Sequence, residues 1–289
     1  RGIVMQGAEP APGVLYLVGT PIGNLGDLSP RARQVLAGAD RIACEDTRRS
    51  GLLLHNLGIK SRLVSFHEHN QAARIPELLT ALEAGEAIAV VSDAGLPGIS
   101  DPGEALVAAA RQRGLTAICV PGPCAVTTAL VSSGLPAARF CFEGFLPAKG
   151  PQRRQQIREL AGETRTLVFY EAPHRLLALL EDLLTELGDR PVAVTRELTK
   201  RHEQQIGPNL SSALEHFRSH SPQGEFTVVL GGAAARAPAA ASDSELRLQL
   251  QQLVDSGLSR SDAARQLAQQ TGLAKRELYA LLHSGEDPS

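Results

Sequence analysis

The chain has 289 residues, 43% of them apolar, and a formal net charge of −2, which is enough apolar material for about two domains of ordinary size. The near-balanced charge excludes a body that is basic throughout, so any nucleic-acid surface has to be a local patch. No run reaches the ~20 apolar residues of a membrane span, and the opening RGIVMQGAEPAPG lacks the apolar core and cleavage site of a secretory leader, so the expected location is the cytoplasm.

Taken in chain order, Arg1 to Gly13 is rich in Gly, Ala and Pro without periodicity and reads as a flexible arm or a remnant of cloning. From Val14 to about Gly134, β-rich runs alternate with amphipathic segments. Strands are expected at Leu15 to Val18, Arg41 to Cys44, Leu63 to Phe66, Ala87 to Val91 and Ala117 to Val120. That alternation predicts a mainly parallel sheet covered by helices. The first helix is expected to start at Ser29-Pro30, an N-cap followed by proline, and to end near Gly38. Others fall at about Asn70 to Glu83, Gly103 to Arg113 and Ala125 to Ser132. The first α/β domain is thus placed at residues 14–135.

A second α/β domain, residues 136–232, has expected strands at Thr166 to Tyr170, Val192 to Thr195, Glu203 to Ile206 and Phe226 to Leu230. Its helices lie near Gln152 to Leu160, Arg175 to Leu187 and Leu210 to Arg218. Two such domains in series create a cleft between them. Residues 233–244 form an Ala/Pro/Ser linker without apolar anchors. Residues 245–289 contain three short helices, Glu245 to Ser256, Arg260 to Thr271 and Ala274 to Leu282, the last two around Gly272 in a helix-turn-helix-like arrangement. His283 and His202 are expected at the surface. Cys44, Cys119, Cys124 and Cys141 are widely spaced, and three fall in apolar or strand-like runs. They read as structural thiols, and no metal site is expected.

Open α/β sheets bind ligands at the carboxyl ends of their strands. Here those ends carry GTPIGNLGD, EDTRR, HEHN, SDAGLPGISDPG and PGPCA. A dinucleotide site is the first competitor, because Glu45 and Asp46 stand about 20 residues beyond the Gly-rich first loop. Pro21, however, occupies the position where such a loop needs glycine, and the helix begins only at Ser29. No GxxxxGK[ST] occurs, which excludes a P-loop.

The strings LVGTPIGNLGDLSPRA, ACEDTRRSGLLL, FHEHN, VSDAGLPGISDPG, VPGPCA, FEGFLP and YEAPHR, in that order from Leu17's strand to Arg175, resemble the motifs of the ribosomal RNA small subunit methyltransferase I family of the tetrapyrrole methylase superfamily. The resemblance implies two α/β domains of the tetrapyrrole methylase type with S-adenosylmethionine folded into the cleft between them, followed here by the small C-terminal helical domain. It also implies a homodimer and 2′-O-methylation of a cytidine in the decoding centre of 16S rRNA, with free 16S rRNA or the assembled 30S subunit as partner. EDTR, HEHN and YEAPHR point to that branch. Cys124 departs from it, standing where the family usually has serine, which puts a side-chain hydroxyl contact there in doubt.

A sulfonium cofactor needs apolar walls for adenine and donors for its carboxylate. Ile22, Leu96 and Ile99 are expected to wall the adenosine, with Ser92, Asp93, Cys124 and Ala125 beside them and Tyr170, Leu198 and Gly224 supplied by the second domain. For the chemistry the candidates are Asp46, Arg48 and His67. An imidazole ordinarily titrates at about 6.5, which makes His67 the natural general base; Asp46 would orient it or the ribose, and Arg48 would hold a phosphate. Asp46 with Arg48 reads equally as a structural ion pair, and His67 as a group bonded to backbone. RNA contacts are expected from Asn24 and Arg175 at the rim and from KGPQRRQQIR, whose Lys149, Arg153, Arg154 and Arg158 stand without an acid among them. The chain has seven phenylalanines, three tyrosines and no tryptophan, so stacking platforms are scarce and phosphate contacts should dominate. A tetrapyrrole-type small-molecule methylase and a non-catalytic RNA-binding assembly factor stay open as alternatives. In the C-terminal helices Arg260, Arg265, Lys275 and Arg276 suit a docking role, and a helical cap or dimer contact suits them too.

Overall fold

The short β-branched and apolar runs of the first half form one sheet. In the computed structural model, which describes residues 9–234, 242–271 and 273–282, they are β1 (Val14–Val18), β2 (Arg41–Cys44), β3 (Leu63–Ser65), β4 (Ile88–Val91) and β5 (Thr116–Val120). Their order is β3-β2-β4-β1-β5 and every pairing is parallel. Between them run α1 (Pro30–Gly38), α2 (Thr47–Asn56), α3 (Gln71–Glu83) and α4 (Glu104–Gln112), with α5 (Ala125–Ser132) after β5. All four residues of β4 are buried, as a central strand covered on both faces requires. Along β1 the period of two sends neighbours to opposite cores: Tyr16 joins Leu36 and Ile42, while Leu15 joins Phe66, Leu78 and Leu106. Ser29 caps α1 as expected, its Oγ accepting from the Ala32 N–H at 3.0 Å.

The second half holds β6 (Phe140–Gly144), α6 (Gly150–Glu159), β7 (Thr166–Glu171), α7 (Pro173–Leu187), β8 (Val192–Arg196), β9 (Gln204–Ile206), α8 (Leu210–Ser219) and β10 (Phe226–Leu230). Their sheet has the order β6-β7-β10-β8-β9, and only β6 with β7 is parallel. Strand β6 was not among the expected elements. Its sequence FCFEG is short, breaks register between Phe142 and Gly144, and leaves Phe140 exposed, so it lacks the alternation that marks a strand. One face of this sheet packs on α6, α7 and α8 through Phe169, Leu176, Leu180, Leu214 and Val228. The other packs on Val126, Ala129 and Leu130 of α5 through Val168, Ala193 and Val229. Helix α5, expected in the first domain, therefore packs on the second sheet, with Ile22 of the first half joining the same cluster, and both halves form one compact unit that ends at Ala233.

Residues 9–11 are tied down rather than free, which corrects the expected arm where it is described. The Glu9 carboxylate accepts two bonds from Arg31 at 2.7 and 2.8 Å, and the Ala11 N–H donates to the Tyr16 hydroxyl. Residues 1–8 of that arm, most of the linker, Gly272 and His283 lie outside the described residues.

The C-terminal unit consists of α9 (Asp243–Asp255), α10 (Arg260–Thr271) and α11 (Lys275–Leu281). Helix α9 starts earlier than the apolar pattern suggests because Ser242 and Glu245 form a reciprocal capping box. Leu246, Leu250, Ala263, Ala264, Leu267 and Leu278 make its small core. Among the described residues, no helix is long and apolar enough to cross a membrane.

Candidate functional site

Because β1 to β5 are parallel, their carboxyl ends share one rim. Backbone bonds then lock the loops together: Thr20 and Gly95 exchange N–H···O bonds of 3.0 and 3.1 Å, and the Gly19 N–H donates to the Val120 carbonyl at 3.1 Å. Gly95 has φ of +87°, and a β-carbon there would stand 3.2 Å from the Ile22 side chain, so the residue gives the loop its shape at no steric cost. Ser92 braces the same loop from beneath, its hydroxyl donating toward the carbonyls of Ala94 and Gly95 at 3.1 and 3.2 Å.

These loops and the end of the second sheet enclose a cleft of about 350 Å³. Of the residues expected to bind a cofactor, Ile22, Asp93, Leu96, Ile99, Cys124, Ala125, Tyr170 and Gly224 line it. Ser92 and Leu198 do not. Ser92 is the buried brace, and Leu198 is packed behind the wall with Ile22, Cys124 and Tyr170. The Tyr170 ring meets Phe142 edge-on at 4.9 Å and Phe145 at 5.6 Å. Burial pushes its phenol pKa upward.

Arg49, Asp101, Phe145 and Glu225 also line the cleft, and sequence alone assigns them no role. Arg49 pairs with Asp93 at 3.2 Å. Phe145 is 56% exposed at the cleft, a large ring left open beside the site. Asp101 is half-buried, and that burial, with Glu45 and Asp93 nearby, raises its pKa to about 6. Glu171, which also lines the cleft, is 2% exposed. Its Oε1 accepts from the Ala172 N–H at 2.8 Å, its Oε2 has no partner, and burial raises its pKa. The only sequence signal for Asp101 and Phe145 is their place in ISDPG and FEGFLP.

Asp46, Arg48 and His67 do not line this cleft or the neighbouring cavity. Asp46 caps α2, accepting from the Arg48 N–H at 2.8 Å, and its own N–H donates to Asp93 at 3.3 Å. The Arg48 side chain, 90% exposed, folds back onto the Asp46 carboxylate and holds its pKa down. At His67 the N–H donates to Asn70, while Nδ1 is buried without a partner.

Of the expected RNA contacts, Asn24 is exposed and caps the turn Leu25–Asp27, and Lys149 is exposed before α6. Arg154 and Arg158 are partly exposed and each is ion-paired to α7, with Asp182 at 3.6 Å and Glu186 at 3.0 Å. Arg153 differs from the expectation of a free cation. Its side chain is 7% exposed, its Nε bonds Asp182 at 2.7 Å and its Nη1 donates to the Ala148 carbonyl, because its position turns it onto α7. Arg175 is likewise committed, donating to the Leu146 carbonyl and pairing with Glu171.

A profile of the tetrapyrrole (corrin/porphyrin) methylases matches residues 14–214. A Synechocystis sp. protein named ribosomal RNA small subunit methyltransferase I is 51% identical over 93% of this chain and 97% of its own length. The protein of that name from Escherichia coli O157:H7 is 43% identical over 95% and 96%. Among solved structures, the methyltransferase CobJ superposes with a TM-score of 0.57 at 21% identity, covering 77% of this chain and 95% of its own. The cobalt precorrin-4 methyltransferase CbiF gives 0.54 at 15%, covering 80% and 98%.

Proposed function

This chain belongs to the tetrapyrrole methylase family and, within it, to the ribosomal RNA small subunit methyltransferase I group; on that premise we propose that its cleft binds S-adenosylmethionine and directs the methyl group to a ribose of small-subunit rRNA. The target on this reading is the 2′-hydroxyl of a cytidine in the 16S decoding centre, met in rRNA or the 30S particle by a cytoplasmic homodimer.

The observation that carries the reading is the composition of the cleft. Ile22, Leu96, Ile99 and Ala125 offer apolar walls, while Asp93 and Asp101 offer acceptors. That set fits a ligand with an apolar adenosine, hydroxyls and an ammonium group, and no cationic side chain other than Arg49, already neutralised by Asp93, stands against a sulfonium. Bound there, the cofactor supplies an electrophilic methyl group. The protein's contribution is alignment of the nucleophile and exclusion of water by the Phe145 and Tyr170 side. Calorimetry tests the cofactor half: S-adenosylmethionine and its demethylated product should bind, and NAD and ATP should not. Equal affinity for NAD would overturn it.

RNA is read mainly through phosphate. Replacing Arg154 and Arg158 together by glutamine should weaken binding of small subunits and lower the slope of log affinity against log salt by roughly 1 to 2, since each lost phosphate contact removes about 0.7 to 0.9. Arg153 is excluded because it is buried. An unchanged slope would mean that α6 presents a solvated surface only.

A further inference from the structure

Among the described residues, the large apolar side chains that are exposed and line the cleft are Ile99 and Phe145, and only Phe145 carries a ring. That ring is 56% exposed, yet it stands on a fixed frame. Gly144, just before it, turns the chain at φ of +63°, and a β-carbon there would lie 3.3 Å from the Oγ of Ser100, another lining residue. Leu146, just after it, is 2% exposed, and its carbonyl accepts from the Arg175 guanidinium, itself paired with Glu171 at 3.2 Å. Tyr170 backs the ring at a centroid distance of 5.6 Å and a tilt of 60°, and Phe142 meets Tyr170 in turn. Both chain neighbours and one side of the ring are thus held, while the rest stays open and adds nothing to the burial that stabilises the fold.

We propose that Phe145 is the platform on which the base of the target nucleotide stacks while its ribose enters the cleft. The inference rests on the rRNA methyltransferase reading given above. A 2′-hydroxyl is the same on every nucleotide, and phosphate contacts hold a strand without choosing one residue of it. The base, in contrast, is bonded to the ribose carbon next to the one that bears the 2′-oxygen. When that oxygen reaches a methyl group inside the cleft, the base has to lie at the cleft's border, where Phe145 stands. Sequence-specific RNA contacts are made largely to unstacked bases laid on aromatic rings. A ring whose frame is already rigid loses little freedom when a base covers it.

The cofactor's adenine is the other flat group that such a ring could meet, and the packing separates the two. Ile22, Cys124, Ala125 and Tyr170 belong to one apolar cluster with α5 and the second sheet, which gives adenosine a continuous wall. Phe145 reaches the cleft from outside that cluster, on the loop after β6, and touches it through Tyr170. One ring at the border also suits a chain with seven phenylalanines, three tyrosines and no tryptophan: phosphate contacts carry the affinity, and a single stack fixes which nucleotide presents its ribose.

The test compares wild type with F145A, F145L and F145W in single-turnover methylation of small subunits lacking the modification, at saturating subunit concentration. S-adenosylmethionine affinity is measured by calorimetry and association state by sedimentation. F145A should lose roughly 5- to 150-fold in rate, the range that one aromatic–base stack spans, while cofactor affinity stays close to wild type. F145L, which restores apolar bulk without a ring, should remain as slow as F145A, and F145W should recover most of the rate. Because the side chain is largely exposed, all three variants should unfold in urea with wild type. An F145A rate equal to wild type would overturn the role, and so would an F145L as fast as wild type, which would make the side chain an apolar cover only. Loss of cofactor affinity in parallel with rate would put adenine on the ring, and dissociation of F145A into monomers would make Phe145 a contact between copies; either overturns the role as well. A wild-type protein that methylates no ribose would overturn the functional reading and this role with it, so the wild-type lane tells the two failures apart.

Discussion

Arg153→Ala is expected to destabilise the protein by about 3 to 5 kcal/mol, the usual cost of removing one partner from a buried ion pair. The guanidinium is 7% exposed and bonded to an Asp182 carboxylate that is 13% exposed. Without it, Asp182 keeps only the longer contact of 3.6 Å to Arg154, and the Ala148 carbonyl loses its Arg153 donor. Urea denaturation should show the loss directly. Arg154→Ala, at a side chain 41% exposed, should cost under about 1 kcal/mol. The two neighbours thus separate the roles that their shared motif blends: Arg153 holds α6 to α7, and Arg154 is left for solvent or phosphate. A stable Arg153→Ala protein that binds RNA poorly would reverse that division.

The second large effect concerns the contact between the β1 and β5 loops. Gly122→Ala should cost about 1 to 3 kcal/mol through overpacking and weaken S-adenosylmethionine at least tenfold, as calorimetry would read it. An added β-carbon would lie 2.8 Å from both the Cα and the carbonyl oxygen of Gly19. No side chain can rotate away there, so the β1 and β5 loops must part, carrying Ile22 on one side and Cys124 and Ala125 on the other. Gly114→Ala is the control. It lies at φ of +72° with nothing within 4 Å, so it pays backbone strain of about 1 to 2 kcal/mol without moving the cleft, and cofactor affinity should be untouched. Equal effects on affinity would mean that the loops tolerate separation.

The parallel sheet was legible because each of its strands is a short apolar run bounded by turn residues, and parallel strands put their loops on one rim. That logic reached Ile22, Leu96 and Cys124, which line the cleft. The second sheet was less legible. Its mixed pairing depends on contacts between distant segments, such as Phe226 with Glu171, and β6 has no periodicity of its own. Charge in α6 was visible, yet its direction was not, since the partner that buries Arg153 stands 29 residues away. Asp101 was invisible for the same reason: Glu45 and Asp93, which shape its environment, arrive from two other loops. His67 drew attention through its chemical type, which carries no information about the cavity it faces.

The most direct test is methyl transfer itself. Purified protein is incubated with S-adenosylmethionine and small subunits lacking the modification, and the labelled nucleotide is mapped by digestion and mass spectrometry. One methyl group per particle is expected, on the 2′-oxygen of a cytidine in 16S rRNA. Methyl incorporation into a nucleobase, or into a tetrapyrrole with none into rRNA, would contradict it.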